Sequence, residues 1–219
     1  MAAYTLVIGN KAYSSWSMRP WLLMRQAGLD FSEIRIPLYQ EGHDIAIRRH
    51  APSGRVPVLH DGALKVWDSL AICEYLAERH PEKGLWPAGT AARAHARAIS
   101  AEMHAGFAAL RSGMPMNVRR VFPGAGLNDA VAVDIARVVA MWENCLEKSG
   151  GPFLFGTFGI ADAMYAPVAT RFRTYAVTLP PRAQGYADRL LDLPAMRAWY
   201  ADAAAEREVL PQFEQQGRP

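Results

Sequence analysis

A short polar segment near the N-terminus holds the first residues that could do chemistry, the serines Ser14, Ser15 and Ser17. They lie between an apolar, β-rich stretch and the start of a predicted helix. Free backbone N–H groups and the helix dipole at such a position favour an anion, and a serine hydroxyl there can donate a hydrogen bond to a thiolate. Taken alone, the segment is explained better as turn and helix-cap residues.

The pair Val56-Pro57 is a second candidate, because a proline that enters an otherwise regular strand removes a donor from the ladder. A cis bond between the two residues would turn the backbone of Val56 outward. Its N–H and C=O would then be free to pair with an extended, peptide-like ligand. An ordinary edge strand explains the proline equally well, so both interpretations stay open.

The third candidate is Asp68-Ser69, at the start of a predicted helix. N–H groups at the helix terminus and the Ser69 hydroxyl can hold a carboxylate, and Asp68 could offset an ammonium group. A plain N-cap role for Asp68 is the explanation that this segment alone favours.

These segments fall at the junctions of predicted strands and helices. The residue pattern predicts strands at 4–9, 31–38, 55–60 and 63–66, and helices at 20–28, 43–50 and 68–79. Ser17 is the predicted N-cap of the first helix and Pro20 lies in its predicted first turn. Asp61-Gly62 is a hairpin signal. The order β-α-β-α-β-β-α predicts an open α/β sheet.

The residue pattern changes after Pro81. A linker rich in glycine and proline is predicted up to Gly89, and helical spacing dominates beyond it. Helices are predicted at 90–117, 130–147, 161–179 and 194–208. We therefore expect an α/β domain at residues 1–80, a linker at 81–89 and an all-helical domain at 90–219.

Composition narrows the class of protein. The chain has 219 residues and a formal net charge of +3, which is too mild to indicate a nucleic-acid partner. Cys73 and Cys145 are far apart, no Cys or His cluster has metal spacing, and no apolar run is long enough to cross a bilayer. We expect a cytoplasmic protein with no metal and no membrane partner, whose cysteines are small core residues.

In their order and spacing, the three segments resemble the glutathione transferase superfamily. The cues are the serine turn, the Val-Pro pair after residues 52–55, the acidic-Ser pair, the linker, and Ile160-Ala161-Asp162, which is similar to the family's helix-capping motif. The resemblance implies a thioredoxin-like N-terminal domain, a helical C-terminal domain and a homodimer. It also implies glutathione as co-substrate and conjugation to a small electrophile, a detoxification chemistry.

The resemblance also assigns roles to single residues. Val56 and Pro57 would meet the cysteinyl part of glutathione, Asp68 and Ser69 its γ-glutamyl end, and Arg55 with Gln40 or His43 its glycyl carboxylate. The serine turn is most similar to the zeta class, in which the first serine serves the thiol. Ser14 is therefore the expected catalytic residue, with Ser15 as the alternative.

The electrophile is expected between the domains. The residues expected to face it are Tyr13 and Trp16 from the first domain, and Met103, Phe107, Arg111 and Met114 from the predicted helix 90–117. A stripe of apolar residues at helical spacing is equally typical of a core. Arg111 could pair with a carboxylate of the substrate, or it could be a solvated helix residue.

Two residues depart from the family pattern. Trp16 replaces the cysteine of the zeta motif, which argues against maleylacetoacetate isomerase activity, and Gly159 replaces the usual Ser or Thr of the capping motif. A glutathione-dependent isomerase and a non-catalytic glutathione-binding module remain as alternatives. A thiol–disulfide oxidoreductase is disfavoured, because such proteins have a cysteine at this turn.

Overall fold

The computed structural model describes residues 4–214. The strands are β1 Tyr4–Ile8, β2 Phe31–Arg35, β3 Val58–Asp61 and β4 Leu64–Val66. The helices are α1 Ser15–Gln26, α2 His43–His50, α3 Ser69–Arg79, α4 Thr90–Ala105, α5 Ala108–Gly113, α6 Asp129–Ser149, α7 Ile160–Thr174, α8 Pro181–Leu191, α9 Pro194–Ala205 and α10 Pro211–Glu214. A 3₁₀ turn, Pro81–Lys83, follows α3.

The four strands form one mixed sheet in the order β2-β1-β3-β4. β1 runs parallel to β2 and antiparallel to β3, and β3 forms an antiparallel hairpin with β4. Gly62 has a φ of 58° in that hairpin turn, a conformation that glycine adopts without a steric penalty. The predicted order of elements and the thioredoxin-like α/β class are thus confirmed.

The start of α1 differs from the prediction. The helix begins at Ser15 with Ser14 as its N-cap residue, so Ser17 is inside the helix and Pro20 lies beyond its first turn. The Ser17 hydroxyl accepts a hydrogen bond from the backbone N–H of Gly9 at 3.1 Å instead of capping. This contact ties the helix to the end of β1, which explains why local cap signals misplaced the boundary.

The predicted helix 90–117 is also interrupted. α4 ends at Ala105, Phe107 has a φ of 57°, and α5 starts at Ala108. The side chain of Asp134 on α6 accepts the backbone N–H of Leu110 at 2.9 Å. Gly106 ends α4 as its C-cap residue, a local stop signal that the prediction passed over, and the contact from α6 stabilises the first turn of α5.

Helix α7 begins as predicted and ends earlier than predicted. Asp162 accepts the N–H of Gly159 at 2.9 Å and the N–H of Leu154 at 3.1 Å, and Tyr186 donates to it at 3.0 Å. Burial raises the pKa of Asp162 to about 6. The helix stops at Thr174, and α8, which was not predicted, follows.

Helix α1 is the centre of the molecule, because its apolar side chains are buried and it packs against α3 on the sheet side and α7 on the helical side. Trp21 of α1 meets Trp199 of α9 edge-on, with ring centroids 5.0 Å apart.

Both cysteines, Cys73 and Cys145, are buried, as predicted. In the described range no helix combines the length and apolarity needed to span a membrane.

Candidate functional site

A cleft of about 520 Å³ lies where the N-terminal end of α1 faces the helical domain. Eight of the residues selected from sequence line it: Tyr13, Ser14, Ser15, Trp16, His43, Arg55, Val56 and Arg111. The lining continues with residues that sequence reasoning did not select, among them Tyr39, Pro115, Met116, Arg171 and Phe213. A larger cavity of about 840 Å³ beside α7 and α8 contains none of the sequence-selected residues.

The serine turn sits at the wall of this cleft. Ser14 and Ser15 are 7% and 9% exposed, so each reaches the cleft through a small opening. The hydroxyl of Ser14 lies 2.8 Å from that of Ser17 and donates to it. Together with the Gly9 N–H this forms a short chain of hydrogen bonds that ends at the cleft. The first backbone N–H groups of α1 add positive potential there.

The Val56–Pro57 peptide bond is cis, as the strand pattern suggested. β3 starts only at Val58, and in the described residues the backbone N–H and C=O of Val56 make no backbone hydrogen bond. Val56 lines the cleft beside Arg55. The segment therefore offers an unpaired main-chain donor and acceptor to an extended ligand.

Asp68 and Ser69 start α3, as predicted, but do not line the cleft itself. Asp68 Oδ1 accepts the N–H groups of Leu70 and Ala71, while its Oδ2 accepts His104 Nε2 at 2.9 Å. Ser69 is fully buried and lies 3.5 Å from a guanidinium nitrogen of Arg19. Asp68 thus combines the N-cap role with a contact to α4 of the helical domain.

The remaining glutathione-site candidates differ in exposure. Gln40 is exposed outside the cleft, and its carbonyl oxygen lies 2.7 Å from His43 Nδ1. Gln40 therefore contributes by orienting His43, which lines the cleft. Pro57, the last of these candidates, is buried and does not line the cleft.

The helical domain contributes Arg111 to the cleft, but not the apolar stripe that was expected with it. Met103, Phe107 and Met114 are 0%, 7% and 1% exposed and belong to the main core. The alternative that the helical spacing left open, a buried core stripe, therefore applies to these three residues. Pro115 and Met116, in the segment after α5, line the cleft instead.

Trp16 lies among three polar or charged groups. The guanidinium of Arg19 is 4.2 Å from its ring centroid, that of Arg111 is 5.4 Å away, and His104 meets the ring edge-on at 5.2 Å. Both guanidinium distances suit cation–π attraction. The indole ring thereby connects α1 to α4 and α5.

Tyr13 belongs to a cluster formed with the C-terminal segment. Its hydroxyl donates to Glu214 at 2.5 Å and accepts from Arg119, and its ring stacks on Phe213 at 5.5 Å. Burial, together with the Glu214 contact, raises the pKa of Tyr13. Its hydroxyl is therefore occupied, and Tyr13 and Phe213 form one wall of the cleft.

Two buried arginines were not selected from sequence as site residues, although Arg19 lies in the serine segment that resembles the zeta motif. Arg19 on α1 is 1% exposed and Arg171 on α7 is 3% exposed, and Arg171 lines the cleft with Arg111. The position of Arg171 within an apolar helix gave no signal of a site, since an arginine at helical spacing is usually a surface residue.

The arrangement joins two hydroxyls, a helix N-terminus, unpaired main-chain groups and several guanidinium groups around one cleft. It can hold an extended anionic ligand and stabilise a negative charge beside the serines. Within residues 4–214 no three His, Cys, Asp or Glu side chains form a group that could hold a metal ion. The fold is that of a thioredoxin-like domain followed by a helical domain, and residues from both line the cleft.

Comparisons with known proteins narrow this class. Residues 13–79 match the family model "Glutathione S-transferase, N-terminal domain" and residues 125–202 match "Glutathione S-transferase, C-terminal domain". The chain belongs to the glutathione S-transferase superfamily.

Individual relatives agree with this membership. A "Probable maleylacetoacetate isomerase" of Caenorhabditis elegans is 27% identical over 86% of this chain and 88% of its own. The Escherichia coli K12 protein "Glutathione S-transferase GstB" is 27% identical over 83% of this chain and 94% of its own. The crystal structure of a glutathione transferase homologue from Burkholderia gl BGR1 with bound glutathione has a TM-score of 0.70 at 23% identity, covering 93% and 99% of the two chains.

Proposed function

We propose that this protein is a glutathione transferase that holds glutathione with its sulfur beside Ser14 and transfers the thiolate to a small electrophile. The observation that carries the proposal is the junction of the serine turn with the unpaired main chain of Val56 in one cleft. A cysteinyl residue paired with Val56 as an added strand would direct its side chain to one face, as β-augmentation requires.

The ends of glutathione have separate partners in this proposal. The γ-glutamyl end lies at the start of α3, where the exposed Asp68 offsets the ammonium group and the helix N-terminus adds positive potential, while the buried Ser69 makes no direct contact. The glycyl carboxylate meets Arg55, with His43 held nearby by the carbonyl of Gln40. Glutathione bound to the relative from Burkholderia supports this orientation only at the level of the fold.

Activation of the thiol needs little energy. A thiol with a pKa of about 8.5 is only a few per cent ionised at neutral pH, and lowering that pKa by about two units corresponds to roughly 2.7 kcal/mol. One hydrogen bond to a charged acceptor contributes about 1.5–3 kcal/mol, and the helix terminus adds a smaller share. A single hydroxyl and the start of α1 therefore suffice, without a general base.

Ser17 assists Ser14 in this scheme. A hydroxyl hydrogen rotates about its C–O bond, so either oxygen of the Ser14–Ser17 pair can donate. When a thiolate is present, Ser17 donates to Ser14 and Ser14 donates to the sulfur. The N–H of Gly9 holds Ser17 in place during this change, since it donates to the Ser17 oxygen.

The test is calorimetric titration with glutathione, followed by assay against a halogenated dinitrobenzene and a maleyl-type diacid. We expect binding and conjugation in the wild type, and in Ser14→Ala binding with strongly reduced turnover. Ser15→Ala is the matched control and keeps most of the activity. Turnover of the diacid alone would favour an isomerase, and binding without any turnover would favour a non-catalytic module.

A further inference from the structure

Three arginines from three different helices converge on the cleft. Arg111 of α5 and Arg171 of α7 line it together with Ser14 and Ser15. Arg19 of α1 lies behind Trp16, with its guanidinium carbon 4.2 Å from the centroid of that ring. These three residues are the arginine cluster discussed below.

The hydrogen-bond partners of the arginine cluster are neutral. Arg171 donates through Nε to the carbonyl of Met114 at 2.9 Å and through Nη1 to that of Pro167 at 3.0 Å. Arg111 donates to the carbonyl of His104 at 3.1 Å. In the part of the chain that the structure describes, the buried Nε of Arg19 has no hydrogen-bond partner. None of these contacts neutralises a positive charge.

The cluster is therefore electrostatically unfavourable when the cleft is empty. Burial, followed by the charges of Arg171 and Arg111, lowers the pKa of Arg19 to about 9. Burial also lowers the pKa of Arg171 to about 10 and that of Arg111 below its ordinary value. All three groups stay protonated at neutral pH, so three positive charges share a poorly hydrated region.

The buried lysine of the same chain provides a contrast. Lys11 is 5% exposed, and its ammonium group is 2.7 Å from Glu33 and 2.6 Å from Asp202. Here the fold supplies two carboxylates for one buried cation. Within residues 4–214 no carboxylate forms a salt bridge with Arg19 or Arg171, which are at least as buried as Lys11, or with the half-buried Arg111. Asp68 attracts Arg19 and Asp134 attracts Arg111 without forming a salt bridge with either, so a carboxylate in direct contact with the cluster is expected from a ligand.

Glutathione does not use these charges in the proposed function. Its thiolate is stabilised by Ser14 and the start of α1, and its glycyl carboxylate by Arg55 of the N-terminal domain. Arg111 and Arg171, which come from the helical domain, remain available for the second substrate. Their planar guanidinium groups suit a carboxylate, which they can bind through two parallel hydrogen bonds.

We propose that the electrophile of this protein carries a carboxylate, which binds between Arg111 and Arg171 while Arg19 adds positive potential from behind Trp16. This inference rests on the proposed function and specifies the substrate class of the same cleft. A neutral aromatic electrophile of the same shape should have a lower kcat/KM than the one that carries the carboxylate.

The test compares 4-chloro-3,5-dinitrobenzoate with its neutral amide, 4-chloro-3,5-dinitrobenzamide. In both reactions the thiolate sulfur bonds to the ring carbon that carries chlorine, and chloride leaves with the electron pair. The kcat/KM for each probe is divided by the rate of its uncatalysed reaction with glutathione, which removes the difference in intrinsic reactivity. We expect the wild type to prefer the carboxylate by about tenfold or more, mainly through KM.

Arg111→Met tests the cluster at its partly buried member and is expected to reduce the preference for the carboxylate to nearly one. Arg171→Lys keeps a charge at the buried member and retains part of the preference. Arg173→Met is the matched control, because Arg173 is an exposed residue of α7 whose guanidinium lies over Tyr200. Arg173→Met also removes one positive charge from the chain. This variant should prefer the carboxylate probe over the amide as strongly as the wild type does.

A binding measurement separates this inference from the proposed function. The glutathione conjugates of the two probes are titrated calorimetrically into the wild type and Arg111→Met. Tighter binding of the carboxylate conjugate without turnover of either probe would refute catalysis and support the inference. Equal binding of the two conjugates would overturn the inference. The inference would also be overturned if Arg111→Met reduced the turnover of both probes equally and raised the pKa of the bound glutathione thiol. The arginines would then stabilise the thiolate and not the second substrate.

Discussion

At the scale of single residues, the site depends on a chain of hydrogen bonds formed by Gly9, Ser17 and Ser14. The Gly9 N–H donates to Ser17 at 3.1 Å, and the hydroxyls of Ser17 and Ser14 are 2.8 Å apart. Ser17 is fully buried and does not line the cleft, so it acts through Ser14 and is a positioning residue.

Replacement of Ser17 should therefore affect chemistry more than binding. In Ser17→Ala, Ser14 loses the donor that supports it when it donates to the thiolate. We expect kcat with a neutral electrophile to fall about tenfold, the KM for glutathione to change little, and the pH profile of kcat/KM to move to higher pH. Ser17→Thr, which restores the hydroxyl, should recover part of the activity. A pure loss of thermal stability with an unchanged pH profile would make Ser17 structural only.

At the scale of helices and strands, local signals predicted some boundaries and not others. The hairpin at Asp61-Gly62 and the start of α3 at Asp68 were predicted because a turn glycine and an N-cap carboxylate act within a few residues of themselves. The break after α4 was missed although Gly106 is a local stop signal, whereas the restart of the helix at Ala108 depends on Asp134 of α6, which accepts the N–H of Leu110.

The candidate site likewise contains residues that could be selected from local sequence signals and residues that could not. The serine turn and Val56 were selected from sequence because they lie at a helix start and a strand start, where residue type determines local geometry, and Arg55 was selected through the family resemblance. Arg171 was missed because its role depends on which face of α7 packs against α1 and on the path of the chain after α5. Tertiary packing decides such contacts, and the residues nearby in sequence do not encode them.

Helix α7 provides a pH-dependent prediction at this scale. The folded pKa of Asp162, about 6, lies above the ordinary value of about 3.9, so the folded protein binds the proton more tightly than the unfolded chain. The contribution of Asp162 to stability is then largest near pH 4 and falls as pH rises towards 6, by up to roughly 3 kcal/mol.

Urea unfolding of the wild type and Asp162→Asn at about pH 4.5 and pH 7 checks this sign. We expect the wild type to gain stability relative to the variant at the lower pH, where the carboxyl of Asp162 is protonated. Asp129→Asn, at an exposed position in the first turn of α6, is the control and should show no such gain. A difference between wild type and Asp162→Asn that does not change with pH would contradict the expectation.

At the scale of the whole molecule, the two domains share helix α1. Its buried side chains contact the sheet side through α3 and the helical side through α7. The indole N–H of Trp199 donates to the carbonyl of Lys11 at 2.8 Å, and the Trp199 ring meets Trp21. Unfolding of the helical domain would expose one buried face of α1, so we expect each domain to depend on the other for its stability.

We therefore expect one cooperative unfolding transition, although the chain has two domains. Tryptophan fluorescence and far-ultraviolet circular dichroism should give the same urea midpoint and slope. Trp199→Phe, which removes the hydrogen bond and part of the contact, should lower the midpoint and preserve the single transition. Two separated transitions in the wild type would show that α1 does not couple the domains.

The pKa of the glutathione thiol in the bound complex tests the central claim most directly. It is measured from the ultraviolet absorbance of the thiolate as pH is varied, in the wild type, Ser14→Ala and Ser15→Ala. The account predicts a value about two units below that of free glutathione in the wild type and in Ser15→Ala, and a rise of about one unit or more in Ser14→Ala. A thiol pKa in Ser14→Ala equal to that of the wild type would contradict it.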